Sequence, residues 1–324
     1  MLKVGMVGMG GISRSHTTSW AQIPEVKVVA VCDIRAEYAE KAAEATGGRA
    51  YLDFDQMLEA ESLDILDICL PTYLHAEYAL KALNRGIHVL SEKPVSLHRE
   101  DVARLYETAK KNDRRFMIAQ VLRFWREYEI LRDAVKTGRY GKLLSGHMSR
   151  LGNTPQWSWD NWMLDRERSG LVPFDLHIHD LDFLIYTFGK PQDMVCHRAT
   201  TEAQDYFNVI YEYPGFFIST EAAWYNCSYP FQAAYRFQFE NGVLEYRGGK
   251  LTAYEAGKEP YVFDAETDAN VNGINLPATN GYFNEIRYFT DCVLAGKDCE
   301  KVQAWQLECV LDLIDRINQA GRKD

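Results

Sequence analysis

Lys3-Val4-Gly5-Met6-Val7-Gly8-Met9-Gly10-Gly11-Ile12-Ser13 is the stretch whose reading decides the fold. An apolar strand runs into a glycine turn, and the residues after it predict a helix. Gly8 permits the tight turn, and Gly10 lets backbone N–H groups approach a pyrophosphate at the helix N-terminus. The third fingerprint position is Ser13 rather than glycine, so the turn needs support from its surroundings. Asp33, at the end of the next apolar run, supplies it as an acceptor for ribose hydroxyls. Its negative charge would repel a 2′-phosphate, which favours NAD over NADP, with Arg35 nearby as the opposing cation.

Further strands are expected at Val26–Cys32, Asp64–Leu70, Ile87–Leu90 and Phe116–Ala119, with helices at Ala36–Ala45, Ala76–Asn84 and Asp101–Lys111. Strands that are apolar throughout and separated by helices imply a parallel sheet covered on both faces. The expectation is an α/β doubly wound Rossmann domain over residues 1–122. From 123 to 324 the pattern becomes α+β. A helix at Arg126–Lys136 and a strand near Leu143–Arg150 precede a loop rich in Trp, Asn and Asp. Strands then follow at Met194–Thr200, Phe207–Tyr213, Phe216–Trp224, Tyr235–Phe239 and Val243–Tyr246, implying a largely antiparallel open sheet. Asn241-Gly242 predicts a two-residue hairpin loop, and helices near Gly281–Ala295 and Gln303–Ala320 finish the chain.

The chain has 324 residues, with 46 acidic against 36 basic side chains and a net charge of −10. That balance argues against nucleic acid as the main partner, because phosphate contacts need clustered Lys and Arg. No apolar run is long enough to span a bilayer, and the first residues enter a strand without a leader pattern. Seven scattered cysteines without a C-x-x-C suit a reducing cytoplasm, not a disulfide framework or a zinc site.

Two other stretches carry chemistry. Ser91-Glu92-Lys93-Pro94 follows the fifth strand at the carboxyl edge of the sheet, where open α/β sheets bind ligands. Lys93 there can hydrogen-bond a substrate hydroxyl or share its proton. In Phe174-Asp175-Leu176-His177-Ile178-His179-Asp180-Leu181-Asp182, the spacing of Leu181, Leu184, Ile185 and Phe188 predicts a helix. On a helix Asp175, His179 and Asp182 share one face and His177 points nearly the opposite way. His179 is then the proton acceptor, oriented by Asp175, and His177 a packed structural residue. On a strand the two histidines would face the same way and could chelate a metal; the helical reading assigns no metal. Trp157, Trp159 and Trp162 can form a sugar-stacking wall or pack a domain interface, and the sequence favours neither.

These motifs together resemble the glucose–fructose oxidoreductase/inositol dehydrogenase (Gfo/Idh/MocA) family. The resemblance runs in order over essentially the whole chain: Gly8–Ser13, Leu70-Pro71-Thr72-Tyr73-Leu74-His75, Glu92-Lys93-Pro94, Arg123-Phe124-Trp125, Asp175-x-x-x-His179-x-x-Asp182 and Tyr282–Phe289. It implies an NAD-dependent oxidoreductase acting on a secondary hydroxyl of a sugar, polyol or derivative. Lys93, Asp175 and His179 match the family's catalytic set. Gly8, Gly10, Gly11, Ile12, Asp33, Arg35, Pro71, Thr72, His75, Glu92 and Lys93 fall at cofactor-binding positions. Arg123 and Trp162 join Lys93, Asp175 and His179 as expected substrate contacts. Lys93-Pro94 is often cis in relatives, and the second domain often forms a homodimer or homotetramer through its sheet. The chain departs from the family pattern at Ser13, at Tyr73, and at Leu171 and Val172, where a glycine run is common. The alternatives are a glycosidase that uses NAD transiently, a non-catalytic NAD-binding sensor and, remotely, a metal-dependent hydrolase.

Overall fold

A computed structural model describes residues 1–201, 204–264 and 279–320. Two compact units emerge among them: residues 1–124 with 279–308, and residues 125–264 with 309–320.

In the first unit, β1 (Leu2–Val7), α1 (Ser13–Trp20), β2 (Val26–Cys32), α2 (Ala36–Thr46), β3 (Arg49–Tyr51) and α3 (Phe54–Ala60) form the first half. Then come β4 (Ile65–Ile68), α4 (His75–Asn84), β5 (His88–Glu92), α5 (Glu100–Lys111) and β6 (Phe116–Ala119). All six strands are parallel, in the order β3-β2-β1-β4-β5-β6. The order reverses at β1/β4, the place where such sheets take ligands at their carboxyl ends. Val4, Met6, Ile65, Ile68, Val89, Leu90, Met117 and Ile118 are fully buried, as a sheet covered on both faces requires. The edge strand β3 and helix α3 are not legible in the sequence pattern, because three and seven residues are too few to show a period.

The second unit opens with α6 (Arg126–Thr137), β7 (Leu143–Asn153), α7 (Arg166–Ser169) and α8 (Ile178–Phe188). β8 (Asp193–Thr200), β9 (Asp205–Tyr213), β10 (Phe216–Tyr225), β11 (Gln232–Phe239), β12 (Gly242–Arg247), β13 (Lys250–Glu255) and β14 (Tyr261–Val262) complete an eight-stranded sheet. Its order is β14-β13-β12-β11-β7-β10-β9-β8, with β7 and β10 parallel and every other pair antiparallel. Strand alternation buries Phe207, Val209, Tyr211, Ile218, Tyr235 and Phe237 on one face and leaves Val195, Phe217 and Tyr254 exposed on the other. The β11–β12 loop is Glu240-Asn241, with Phe239 opposite Gly242, one residue earlier than the Asn-Gly pair predicts. Gly248 and Gly249 make the β12–β13 hairpin, both at positive φ, as a two-residue turn of that hand demands.

α9 (Gly281–Ala295) and α10 (Ala304–Ala320) follow. The sequence pattern assigns everything after residue 122 to the second domain. In the structure α9 instead lies in the first unit, where Asn284 Nδ2 donates to the Phe124 carbonyl and Tyr288 packs on the Phe124 ring. Hydrophobic periodicity identifies a helix but not which core receives it.

Candidate active site

The first unit builds a dinucleotide cradle. Gly8 has φ of +84°, and a Cβ there would meet the Cys69 and Leu70 backbone at 2.7–2.8 Å, so only glycine fits. At Gly10 nothing lies within 4 Å of an added Cβ, leaving the backbone open to approach. No side chain caps the start of α1 at Ile12, as expected where N–H groups are kept for an anion. Ser13, in place of the third glycine, is buried and donates to the Gly10 carbonyl at 2.7 Å, so the hydroxyl ties the turn together. These residues fit an NAD pyrophosphate.

Asp33 does more than the sequence suggests. Its carboxylate accepts the Met9 N–H at 2.9 Å, bracing the glycine turn. It also accepts from the Arg35 backbone and guanidinium at 2.9–3.1 Å, and Arg35 lies 3.6 Å over the Tyr38 ring. The charge expected to repel a 2′-phosphate is thus partly neutralised.

His75 and Glu92, expected to contact the cofactor, are turned inward. The buried His75 ring places Nδ1 2.6 Å from the Pro94 carbonyl and Nε2 2.7 Å from the Leu70 carbonyl, clasping the loops after β4 and β5. Burial lowers its pKa. Thr72 is buried in the turn that follows Pro71. Glu92 directs one carboxylate oxygen to His16 Nε2 (3.1 Å) and the other to the Lys93 N–H (3.0 Å). Of residues 89–96, all but Lys93 are buried, and Lys93-Pro94 is cis as the family pattern implies. Arg123, expected at the substrate, is buried instead, and its guanidinium donates to the Lys301 carbonyl and Gln306 Oε1. Its charge serves packing within the first unit.

Beneath Glu92 sits a residue that sequence reasoning missed. Glu285 on α9 is fully buried, and neither carboxylate oxygen has a hydrogen-bond partner among the described residues. Burial, then the charge of Glu92, raises its pKa well above the ordinary value, although His16 opposes this. A raised folded-state pKa means that the stability contribution is complete below the unfolded pKa and is lost as pH rises. Glu285→Gln removes the need to take up a proton on folding. We expect its melting temperature to match the parent near pH 4 and to exceed it at pH 8 by several degrees, because a tenfold change in proton affinity is worth about 1.4 kcal/mol. Calorimetry at both values checks this; a variant less stable than the parent at pH 8 contradicts a neutral Glu285.

The second unit presents the other set. Pro173–His177 form one π-helical turn, and α8 begins at Ile178. A uniform 100° per residue therefore does not hold across Asp175–Asp182. Of residues 172–185, all but Asp175 and His179 are buried. Asp182, expected on their face, is enclosed. His177 is fully buried, with Nε2 2.8 Å from the Tyr211 hydroxyl and its ring edge-on to Phe207. Burial, helped by the Arg150 charge, pushes its pKa down to about 3, so it is neutral.

Two left-handed residues precede this turn. Gly170 has φ of +73°, and a Cβ there would lie 2.2 Å from the Phe174 ring. Leu171 also adopts a left-handed φ, +62°, which costs about 1–2 kcal/mol for a non-glycine residue. The chain thus keeps a backbone path suited to glycine while placing leucine on it.

Asp180, next to His179, carries no signal of its own in the sequence. It is buried and paired with Arg150 of β7, Nη2 to Oδ1 at 2.8 Å and Nε to Oδ2 at 3.3 Å, while Arg150 Nη2 also donates to the Tyr128 hydroxyl. Burial opposes the Arg150 charge, but Asp180 and Tyr128 outweigh it and raise the pKa. This pair fastens the helix that carries His179 to the sheet. In the loop before α7, Trp157 and Trp159 are exposed and Trp162 is half-buried. Neither a sugar wall nor an interface is singled out by that exposure.

Residues 2–120 match the model described as the oxidoreductase family, NAD-binding Rossmann fold. Residues 128–245 match the GFO/IDH/MocA C-terminal domain. Glucose-6-phosphate 3-dehydrogenase of Bacillus subtilis (strain 168) is 29% identical over 192 residues, 58% of this chain and 54% of that protein. Myo-inositol 2-dehydrogenase of Thermotoga maritima is 30% identical over 196 residues, 60% of this chain and 57% of that protein. The match therefore spans little more than half the length of these curated relatives. A structure of levoglucosan dehydrogenase in complex with NADH and levoglucosan superposes with a TM-score of 0.83 at 18% identity, covering 99% of this chain and 97% of that one. The chain belongs to the Gfo/Idh/MocA family of oxidoreductases, with an NAD-binding Rossmann domain at its start.

Proposed function

We propose that this protein is an NAD-dependent dehydrogenase of a secondary hydroxyl on a sugar, inositol or sugar derivative. The observation that carries the reading is selective accessibility. In each of two otherwise buried stretches, the residues left accessible are those with proton-transfer chemistry: Lys93 in the first unit, Asp175 and His179 in the second. In this reading His179 removes the hydroxyl proton, Asp175 orients it, and Lys93 hydrogen-bonds the hydroxyl or shares its proton. Gly8, Gly10, Gly11, Ile12, Asp33 and Arg35 hold the dinucleotide, with Pro71, Thr72 and Lys93 at the sheet's carboxyl edge. NAD supplies the hydride acceptor when bound; this chain aligns the donor carbon and excludes water. Arg123 is left out of the substrate contacts because its buried guanidinium is engaged by the Lys301 carbonyl and Gln306, and Trp162 stays a candidate sugar contact.

The protein would work in the cytoplasm, in keeping with free cysteines throughout the described residues. Among those residues, no helix is long and apolar enough to cross a membrane. Val195, Phe217 and Tyr254 on the outer face of the second sheet support pairing of copies into a homodimer or homotetramer.

The test is a screen of sugars, inositols and sugar acids, including glucose 6-phosphate, myo-inositol and levoglucosan, with NAD and with NADP, following reduced cofactor. Formation of reduced cofactor, faster with NAD than with NADP, is the expected result. Glycoside cleavage without net NADH would establish the glycosidase reading instead. Tight NAD binding with no turnover on any compound would favour a sensor.

A further inference from the structure

His16 lies 77 residues from Lys93 in the chain, yet the structure connects the two through one side chain. His16 is fully buried on α1, with Nδ1 2.9 and 3.0 Å from the two Asp67 oxygens and Nε2 3.1 Å from Glu92 Oε1. Trp20 Nε1 donates to Asp67 Oδ2 at 2.7 Å, and the Cys69 thiol lies 3.7 Å from Oδ1. The Nδ1–Oδ separations are hydrogen-bond distances, so this cluster of His, Asp and Cys reads as a donor–acceptor network. A ring that donates to carboxylates on both sides carries both protons.

Lys93 is the first residue beyond β5, which ends at Glu92. Glu92 Oε2 takes the Lys93 N–H at 3.0 Å. Glu92 is buried, and its His16 partner favours the carboxylate form, a charge that is unfavourable inside the protein unless it is paired and hydrogen-bonded. His16 supplies that partner, and Asp67 with Trp20 supplies the partner of His16. We propose that His16 is a positioning residue for the dehydrogenase chemistry: by pairing with Glu92 it keeps the Lys93 backbone, and hence the lysine, in its working place. The same imidazole belongs to the helix that follows the dinucleotide turn, so one buried network ties the cofactor cradle to the lysine. This deepens the proposed function and rests on it for the role of Lys93.

The test is a double-mutant cycle with His16→Gln, Lys93→Ala and the pair. Turnover is measured on whichever of glucose 6-phosphate, myo-inositol and levoglucosan reacts fastest, and NAD affinity by tryptophan fluorescence. His16→Gln should lower kcat about 10²-fold, the scale of an ångström-level misplacement, with NAD affinity changed less than threefold. In the Lys93→Ala background it should cost less than threefold, because the group it positions is gone. An equal loss in both backgrounds, or wild-type kcat in His16→Gln beside an inactive Lys93→Ala, overturns this proposal and leaves the function intact. Wild-type turnover in Lys93→Ala removes the lysine's assignment, and this proposal with it. Should His16→Gln fail to fold, Glu92→Gln enters the same cycle. It weakens the same ion pair while keeping an oxygen for the Lys93 N–H, and should lose about tenfold in kcat with the same non-additivity. Additive loss there also counts against the proposal.

Discussion

His179→Ala is expected to lose about 10²–10⁴-fold in turnover, the usual contribution of a positioned acid or base, while binding NAD almost as before. His177→Ala should retain most of its turnover and lose stability. The structure sharpens this contrast. His177 is enclosed, neutral and bonded to the Tyr211 hydroxyl, whereas His179 is accessible on an otherwise buried segment. Removing the His177 ring strands a buried hydroxyl, which costs about 1–3 kcal/mol before any cavity is counted. Steady-state kinetics and melting curves on both variants decide the matter. An inactive His177→Ala beside an active His179→Ala would refute the assignment of the base. Lys93→Ala should resemble His179→Ala, with lost turnover and retained NAD affinity.

Arg150→Ala should destabilise the protein by about 3–5 kcal/mol, because it leaves the Asp180 carboxyl, whose pKa burial already raises, without its partner in the interior. For a domain of this size that lowers the melting temperature by on the order of 10 °C. Asp180→Ala, which strands the guanidinium, should cost a similar amount. The double replacement Arg150→Met/Asp180→Leu should recover much of the loss, since apolar residues of similar volume need no partner. Differential scanning calorimetry on the three variants tests this. A single-variant loss below about 1 kcal/mol, the range of an exposed pair, would mean that the pair does not fasten α8. In the double variant, recovered stability with low turnover would show that the pair also sets the position of His179.

Much of the architecture was legible in the chain. Apolar runs spaced by amphipathic helices, with Gly8 and Gly10 after the first, determined a parallel doubly wound sheet. Burial on both faces requires continuous apolar strands, and the turn requires a residue that tolerates positive φ. The alternation of Phe207–Tyr213 and Phe216–Trp224 likewise determined a one-sided sheet, and the order of motifs determined the family. Lys93 stood out by its place after the fifth strand at the carboxyl edge of the sheet, and Asp175 and His179 by their spacing on one face of a predicted helix.

Tertiary structure alone decided the partners. Nothing local to Arg123 says that its charge ends at the Lys301 carbonyl, nor local to Glu92 that it turns inward to His16. Asp180 and Glu285 look like ordinary helix acids, yet one meets Arg150 and the other meets no hydrogen-bond partner among the described residues. The turn at Pro173–His177 is π rather than α, with a left-handed Leu171 before it. Periodicity reports which face of an element avoids water. It carries no information on which distant charge neutralises a buried one, because that depends on contacts between residues far apart in the chain.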